Sequence, residues 1–277
     1  DLLTSDTKDM WNEAAPEIIR MWEQRDYTFE GEHFRIEEPH NILPKPYGVG
    51  HPPMWVGCGN PATFTQAGQL GIGAIAFNFE PVFNLRGRIE AYKEGIAGCT
   101  EPLGQFVNDN VMMTNAVVCV ADGKRAREIA MSQGRGYLNT MVNMYHTTIP
   151  PQKGAITWPG RPRAIQNEEE LDYAIEAGYL LCGSPDEVLE QIARYQDVGC
   201  DQLVFGIPNE GFEHEEVLEM LELFGTKVIP EFDKDPEHRT AKMRATAKRK
   251  YPDFTHPLPD GLDVEVIPTN ALLPLEG

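Results

Sequence analysis

From residue 54 onward, short apolar runs alternate with helix-like segments, and this alternation is the strongest constraint on how the chain folds. Met54-Trp55-Val56-Gly57-Cys58 predicts a buried strand, and residues 61–70 a helix. Ile72–Phe77 predicts a second strand and Pro81–Ile96 a second helix. Val111–Val120 predicts a third strand, with a long helix from Gly123 to about Met144. Gln202–Ile207 predicts a fourth strand, and a helix follows to about Phe224. Strands this short and this apolar belong in a parallel sheet covered by helices, an α/β arrangement of βα units. Between the third and fourth strands, Glu168–Ala177 predicts a helix. Ser184-Pro185-Asp186-Glu187 then supplies the capping residue, first-turn proline and early acids of another, running to Val198.

The segments around this alternation differ in kind. Residues 6–22 predict a helix with Met10, Ala14, Ile18, Met21 and Trp22 on one stripe and Asp6 or Thr7 as its cap. Residues 27–36 alternate aromatic and polar side chains around Glu30-Gly31, which predicts a β-hairpin. Pro39, Pro44, Pro46, Pro52 and Pro53 force an extended connection, because each removes a donor and restricts its predecessor. Residues 146–167 are rich in proline and glycine and show no periodicity, as expected of a lid or binding loop. The organisation expected is a unit of βα repeats over 1–229, with a hairpin excursion at 27–36 and a lid at 146–167, and a C-terminal surface arm over 230–277. Within that arm, residues 234–250 are locally basic, the expected consequence being a solvated face lying on an acidic body.

Charge and cysteine usage exclude several functions. The 277 residues carry 43 acids against 24 bases, a formal charge of −19, which repels phosphate backbones and anionic membranes. Neither nucleic acid nor a membrane is an expected partner, and no apolar run approaches the roughly 20 residues that span a bilayer. The five cysteines (58, 99, 119, 182 and 200) form no C-x-x-C pair, against a disulfide framework or a zinc cage. A cytoplasmic protein with reduced thiols and no metal is the expectation. P-loop, His-Glu-x-x-His and Gly-x-Ser-x-Gly motifs are absent.

The most informative stretch is Val56-Gly57-Cys58-Gly59-Asn60-Pro61-Ala62-Thr63. A strand ends, two glycines let the backbone approach a ligand, and a helix begins with Asn60 as cap and Pro61 in its first turn. A helix start offers unpaired N–H groups and about half a positive charge, where a phosphate binds. Gly57, Cys58, Gly59, Asn60 and Thr63 are therefore the candidate cofactor-binding residues; a plain tight βα turn uses the same residue types. The stretch also matches G-x-G-x-x-A, with Glu80 placed to hold a ribose, so an NAD-binding Rossmann unit is a rival. Phe77, Asn78 and Phe79 end the second strand, and His146, Trp158 and Arg161, with Arg163, lie in the long loop; the first six are candidate substrate-binding residues. No residue is assigned as catalytic acid or base.

Several stretches together carry a family resemblance: Trp11-Asn12-Glu13-Ala14, Ile18-Ile19-Arg20-Met21-Trp22, Phe29-Glu30-Gly31-Glu32-His33-Phe34, Leu43-Pro44-Lys45-Pro46 and His51-Pro52-Pro53-Met54-Trp55-Val56-Gly57. Ala67-Gly68 with Gly71, Cys182–Val188, Gly199–Phe205 and Lys227–Phe232 continue it. In order and spacing they resemble the bacterial-luciferase-like flavin-dependent monooxygenases, enzymes on a (β/α)8 TIM barrel. The resemblance implies the second half of that barrel plus a C-terminal arm, since the first helix resembles the one after the family's fourth strand. Four strands cannot close a barrel, so the other half is expected from upstream sequence or a partner chain, and an oligomer is expected. The resemblance further implies an FMN phosphate at Gly59, Asn60 and Thr63, reduced FMN delivered by a separate flavin reductase, and oxygenation of a small organic substrate with O2. It equally allows F420-dependent hydride transfer, or a non-catalytic flavin-binding accessory subunit.

Overall fold

The computed structural model describes residues 4–77, 81–132, 165–206 and 212–247. Helix α1 (Thr4–Glu23) leads into a hairpin of β1 (Tyr27–Glu30) and β2 (Arg35–His40). A connection follows to the βα units: β3 (Trp55–Gly57), α2 (Pro61–Gln69), β4 (Gly73–Phe77), a 3-10 turn at Val82–Asn84, α3 (Arg86–Gly98), β5 (Val111–Cys119) and α4 (Gly123–Ser132). Then come α5 (Glu168–Glu176), β6 (Leu180–Gly183), α6 (Pro185–Asp197), β7 (Gln202–Gly206), α7 (His214–Leu223), a π-helical turn at Phe224–Val228, and the short α8 (Ile229–Phe232) and α9 (Arg239–Ala245).

Helix α1 holds the hairpin through its acids. The Glu13 carboxylate accepts the N–H groups of Glu32 (2.7 Å), His33 (3.0 Å) and Phe34 (3.2 Å) at the hairpin turn. Desolvation pushes its pKa up, but these three backbone donors outweigh that and hold the carboxyl below the usual range. Glycine at 31 leaves room for this carboxylate, since a Cβ there would lie 2.4 Å from Glu13 Oε1 and displace it. One turn on, buried Glu17 accepts from the Tyr27 hydroxyl at 2.8 Å and pairs with Arg20. These contacts fix which side of α1 faces inward. Ala15 and Ile19 are buried while Ile18 is turned outward, so the predicted apolar stripe is rotated. The helix also starts at Thr4, which places Asp6 inside its first turn. The hairpin runs past the expected residue 36, pairing Tyr27 with His40.

All strands of the main sheet are parallel. β3 pairs with β4 and β4 with β5, in the registers Gly57 to Ile75 and Phe77 to Thr114. β7 pairs with the first part of β5, Thr114 meeting Val204, and β6 pairs with its last part, Ala116 meeting Leu180. The four predicted strands therefore lie side by side in sequence order. A Rossmann sheet would reverse direction beside its first strand; here β3 pairs only with β4 among the described residues, and Glu80 lies outside them. Strand β6 was not expected: four residues squeezed between two helix signals leave no period to detect.

The outer face of the sheet carries the core, with Ala74, Ala76, Val111, Met113 and Val117 all buried beneath Phe64, Tyr92 and Tyr195 from the helices. Helices α2 and α3 meet at glycine: a Cβ on Gly68 would sit 2.2 Å from the Tyr92 carbonyl oxygen, and one on Gly95 2.9 Å from Gln69 N. The opposite face is open at Phe77 and Val204, each 46% exposed, and is covered further along β5, where Val118 is buried with Ala126 and Ile129 of α4. The start of α6 forms as expected, with Glu187 accepting from the Ser184 N–H (2.7 Å) and hydroxyl (2.8 Å). The expected helix from Gly123 is described only to Ser132.

The glycine contact yields a stability test. Gly68→Ala must push α3 away from α2 at a backbone atom, and overpacking of this kind costs about 1–3 kcal/mol. Chemical denaturation should show that loss, whereas Gly87→Ala, where an added Cβ meets nothing within 4 Å, should not.

Candidate functional site

The turn from β3 to α2 is built by three local interactions. The Cys58 N–H donates to the Ile75 carbonyl at 2.7 Å, the last bond of the β3–β4 ladder. Asn60 takes an extended backbone (φ −149°, ψ 164°), and its Oδ1 accepts the Thr63 N–H at 3.1 Å and the Thr63 hydroxyl at 3.2 Å. Pro61 then occupies the first turn, where a missing N–H costs nothing. The result is an N-capped helix start at the C-terminal edge of a parallel sheet, where βα proteins bind ligands.

The space in front of this turn is open. Gly57 and Gly59 are exposed, and a Cβ on either would meet nothing within 4 Å. Among the described residues, nothing accepts from the N–H groups of Gly59, Asn60 and Ala62. The first turn of α2 carries no acid, whereas α5, α6 and α7 carry Glu168–Glu170, Asp186 with Glu187, and Glu215 with Glu216. The positive pole of α2 is thus left uncompensated in a chain of net charge −19.

The candidate residues divide into three groups. Gly57, Gly59, Asn60 and Thr63 come together at the turn, though the Asn60 and Thr63 side chains are spent on each other. Cys58 does not join them as a donor: its N–H is in the ladder and its thiol is buried in the core, where desolvation pushes it up to about 12. Phe77 stands on the open face two residues beyond Ile75, the partner of Gly57. Asn78, Phe79, His146, Trp158, Arg161 and Arg163 lie outside the described residues, as does the loop up to residue 164. Its expected end at 167 is corrected, because Asn167 caps α5 by accepting the Glu170 N–H at 2.9 Å.

Sequence reasoning missed two residues beside Phe77. Thr114 and Val204 align with it in one cross-strand row, Phe77 to Thr114 to Val204. The signal was present in Val111–Cys119, where Val111, Met113, Asn115 and Val117 are buried and Met112, Thr114 and Ala116 face the open side. A run so apolar hides that alternation. Among the described residues, no cluster of three His, Cys, Asp or Glu could hold a metal, and no helix is long and apolar enough to cross a membrane.

Sequential parallel strands packed beneath helices, with a row left open at Phe77, Thr114 and Val204, define one half of a (β/α)8 barrel. The model of the luciferase-like monooxygenase family matches residues 9–202, and the chain belongs to that family. It is 25% identical over 219 residues to an F420-dependent glucose-6-phosphate dehydrogenase of Nakamurella multipartita, covering 79% of this chain and 58% of the relative. A second enzyme of that name, from Microbacterium testaceum, is 24% identical over 80% of this chain and 60% of its own length. The chain therefore spans under two thirds of these relatives. Among solved structures, a monooxygenase from Streptomyces bottropensis superposes with a TM-score of 0.58 at 18% identity, over 83% of this chain and 63% of that one. The oxygenating constituent of 3,6-diketocamphane monooxygenase from Pseudomonas putida, solved with FMN, gives 0.54 at 18% identity, over 80% and 63%. Both carry the same fold.

The cap geometry yields a test. Asn60→Ala removes the acceptor for the Thr63 N–H and should cost about 1 kcal/mol in chemical denaturation, while Asn60→Asp keeps an equivalent cap and should leave stability nearly unchanged.

Proposed function

We propose that the chain is the cofactor-phosphate-binding half of a flavin-dependent monooxygenase, acting on a small organic substrate with reduced FMN and O2. The observation that carries this reading is the open, N-capped start of α2, with no acid in its first turn and glycines on both sides of Cys58. The N–H groups of Gly59, Asn60 and Ala62 would hold the phosphate against the helix dipole. Asn60 and Thr63 act by fixing the geometry of that turn rather than by contact. Phe77 and Val204, with Thr114 between them, offer an apolar wall that excludes water from whatever lies above it. When bound, reduced FMN supplies the reaction with oxygen. A separate reductase would deliver it. The loop at 146–164, with His146, Trp158 and Arg161, remains the proposed cover for the substrate.

A second reading has its own support. Both curated relatives are F420-dependent dehydrogenases, and the same phosphate seat would serve F420 for hydride transfer without oxygen.

Absorbance of the purified, reconstituted protein separates the two, an oxidised flavin band lying near about 450 nm and an F420 band near about 420 nm. Product formation with reduced FMN and O2 is expected; turnover with reduced F420 alone would replace the first reading with the second. Asn60→Asp tests the seat under either cofactor. It keeps the helix cap but sets a carboxylate beside the phosphate, so affinity should fall by at least about tenfold, like charges at close range costing roughly 1–3 kcal/mol. Unchanged affinity would remove the phosphate from this turn.

A further inference from the structure

The N-terminal end of the sheet is closed by a strap, α9, which spans two distant anchors. At one, Arg239 donates to the Asp109 carbonyl (2.9 Å) and carboxylate (3.1 Å) just ahead of β5. Lys93 joins Asp109 (2.7 Å) to Asp201 (2.8 Å), which itself accepts the Val111 N–H. At the other, Arg244 donates to the carbonyls of Tyr47 (2.7 Å) and Gly50 (2.9 Å), and Ala247 packs against Gly50.

Each anchor has beside it a histidine ring nitrogen that accepts a backbone N–H. His51 is 1% exposed, between the rings of Trp22 (5.6 Å) and Phe106 (5.0 Å). Its Nε2 faces the Gln105 N–H at 2.8 Å, so it must accept; Nδ1 then carries the proton and donates to the Pro52 carbonyl at 2.7 Å. A proton on Nε2 would have no acceptor and would meet a donor head-on, and Gly104 is packed so closely that a Cβ there would lie 2.4 Å from Nε2. His238 caps the start of α9, its Nδ1 accepting the Thr240 N–H at 3.2 Å. Protonation of that nitrogen deletes the cap.

We propose that the strap is an acid-released latch, which stays seated only while His51 is neutral. The charged groups around each ring are defined. Arg244 on the strap opposes a charge on His51, and Glu23 at the end of α1 favours it. His238 precedes Arg239, whose partner Asp109 is joined by Lys93 to Asp201 at the receiving end of the sheet, and Lys242 of the same segment pairs with Asp235. For His51 burial outweighs the pull of Glu23 and of the Pro52 carbonyl, and Arg244 adds to it, so the imidazole is held below its usual value of 6.5. The sign follows from linkage. A group held low in the closed state binds its proton in the open state, so the latch is fully closed above about pH 6.5 and opens as pH falls, by up to about tenfold per unit for each such proton.

Amide exchange of the full chain tests this, read at residues 240–247 and 104–106 and corrected for the intrinsic rate. Between about pH 7.5 and 5.5 their protection should fall, by up to about tenfold, while that of Met113 and Val117 in β5 holds. The double variant His51→Gln with His238→Asn keeps an uncharged acceptor near each nitrogen and should show flat protection. Protection independent of pH in the unmodified protein, or an equal fall in the double variant, would overturn the proposal. Should the variant not fold, the imidazole titration of His51 in the unmodified protein decides. It should share its midpoint with strap release, and release while His51 remains neutral would overturn the latch.

Discussion

Nine residues, Val111–Cys119, hold the sheet together. Strand β5 alone among the described strands is long enough to pair with three others: β4 and β7 along its first part, β6 along its last. Its outward side chains, Val111, Met113 and Val117, are 0–2% exposed beneath the helices. Because β5 aligns the other strands, it also sets the level at which Gly57, Phe77 and Gly206 end and so where a ligand could meet all of them. At the row Phe77, Thr114 and Val204 the parallel sheet is covered on one side only. Parallel sheets are ordinarily covered on both faces, and the exposure of Phe77 and Val204 marks the side that faces the interior of the family's barrel.

Much of this was legible in the sequence because the responsible signals are local. Four of the five strands of the sheet, the Asn60-Pro61 helix start and the Ser184–Glu187 box each occupy a few consecutive residues whose chemistry has one good solution. What escaped depends on partners far along the chain. The inward side of α1 is decided by Glu13 and Glu17 reaching hairpin residues 10 to 21 positions away, so apolar spacing alone pointed to the wrong side of Ile18. Strand β6 exists because β5 is long enough to receive it. Thr114 and Val204 become candidates only once register lays them beside Phe77.

The same distinction explains the site. The glycines at 57 and 59 were expected to let a ligand approach, and the turn has that open space. Asn60 was expected to cap α2 and does, whereas Cys58, expected among the cofactor-binding residues, packs its thiol inward. On the proposed reading, contact falls to backbone N–H groups, which every residue but proline supplies.

The central claim, that the turn from β3 to α2 seats the phosphate of a flavin-type cofactor, is tested most directly by comparing FMN with riboflavin, which lacks the phosphate. Backbone amide resonances of Gly59, Asn60 and Ala62 should shift on FMN titration and not on riboflavin titration, with FMN the tighter ligand by at least about tenfold, as expected for a charge-assisted phosphate contact. Equal affinities with those three resonances unmoved would contradict the account.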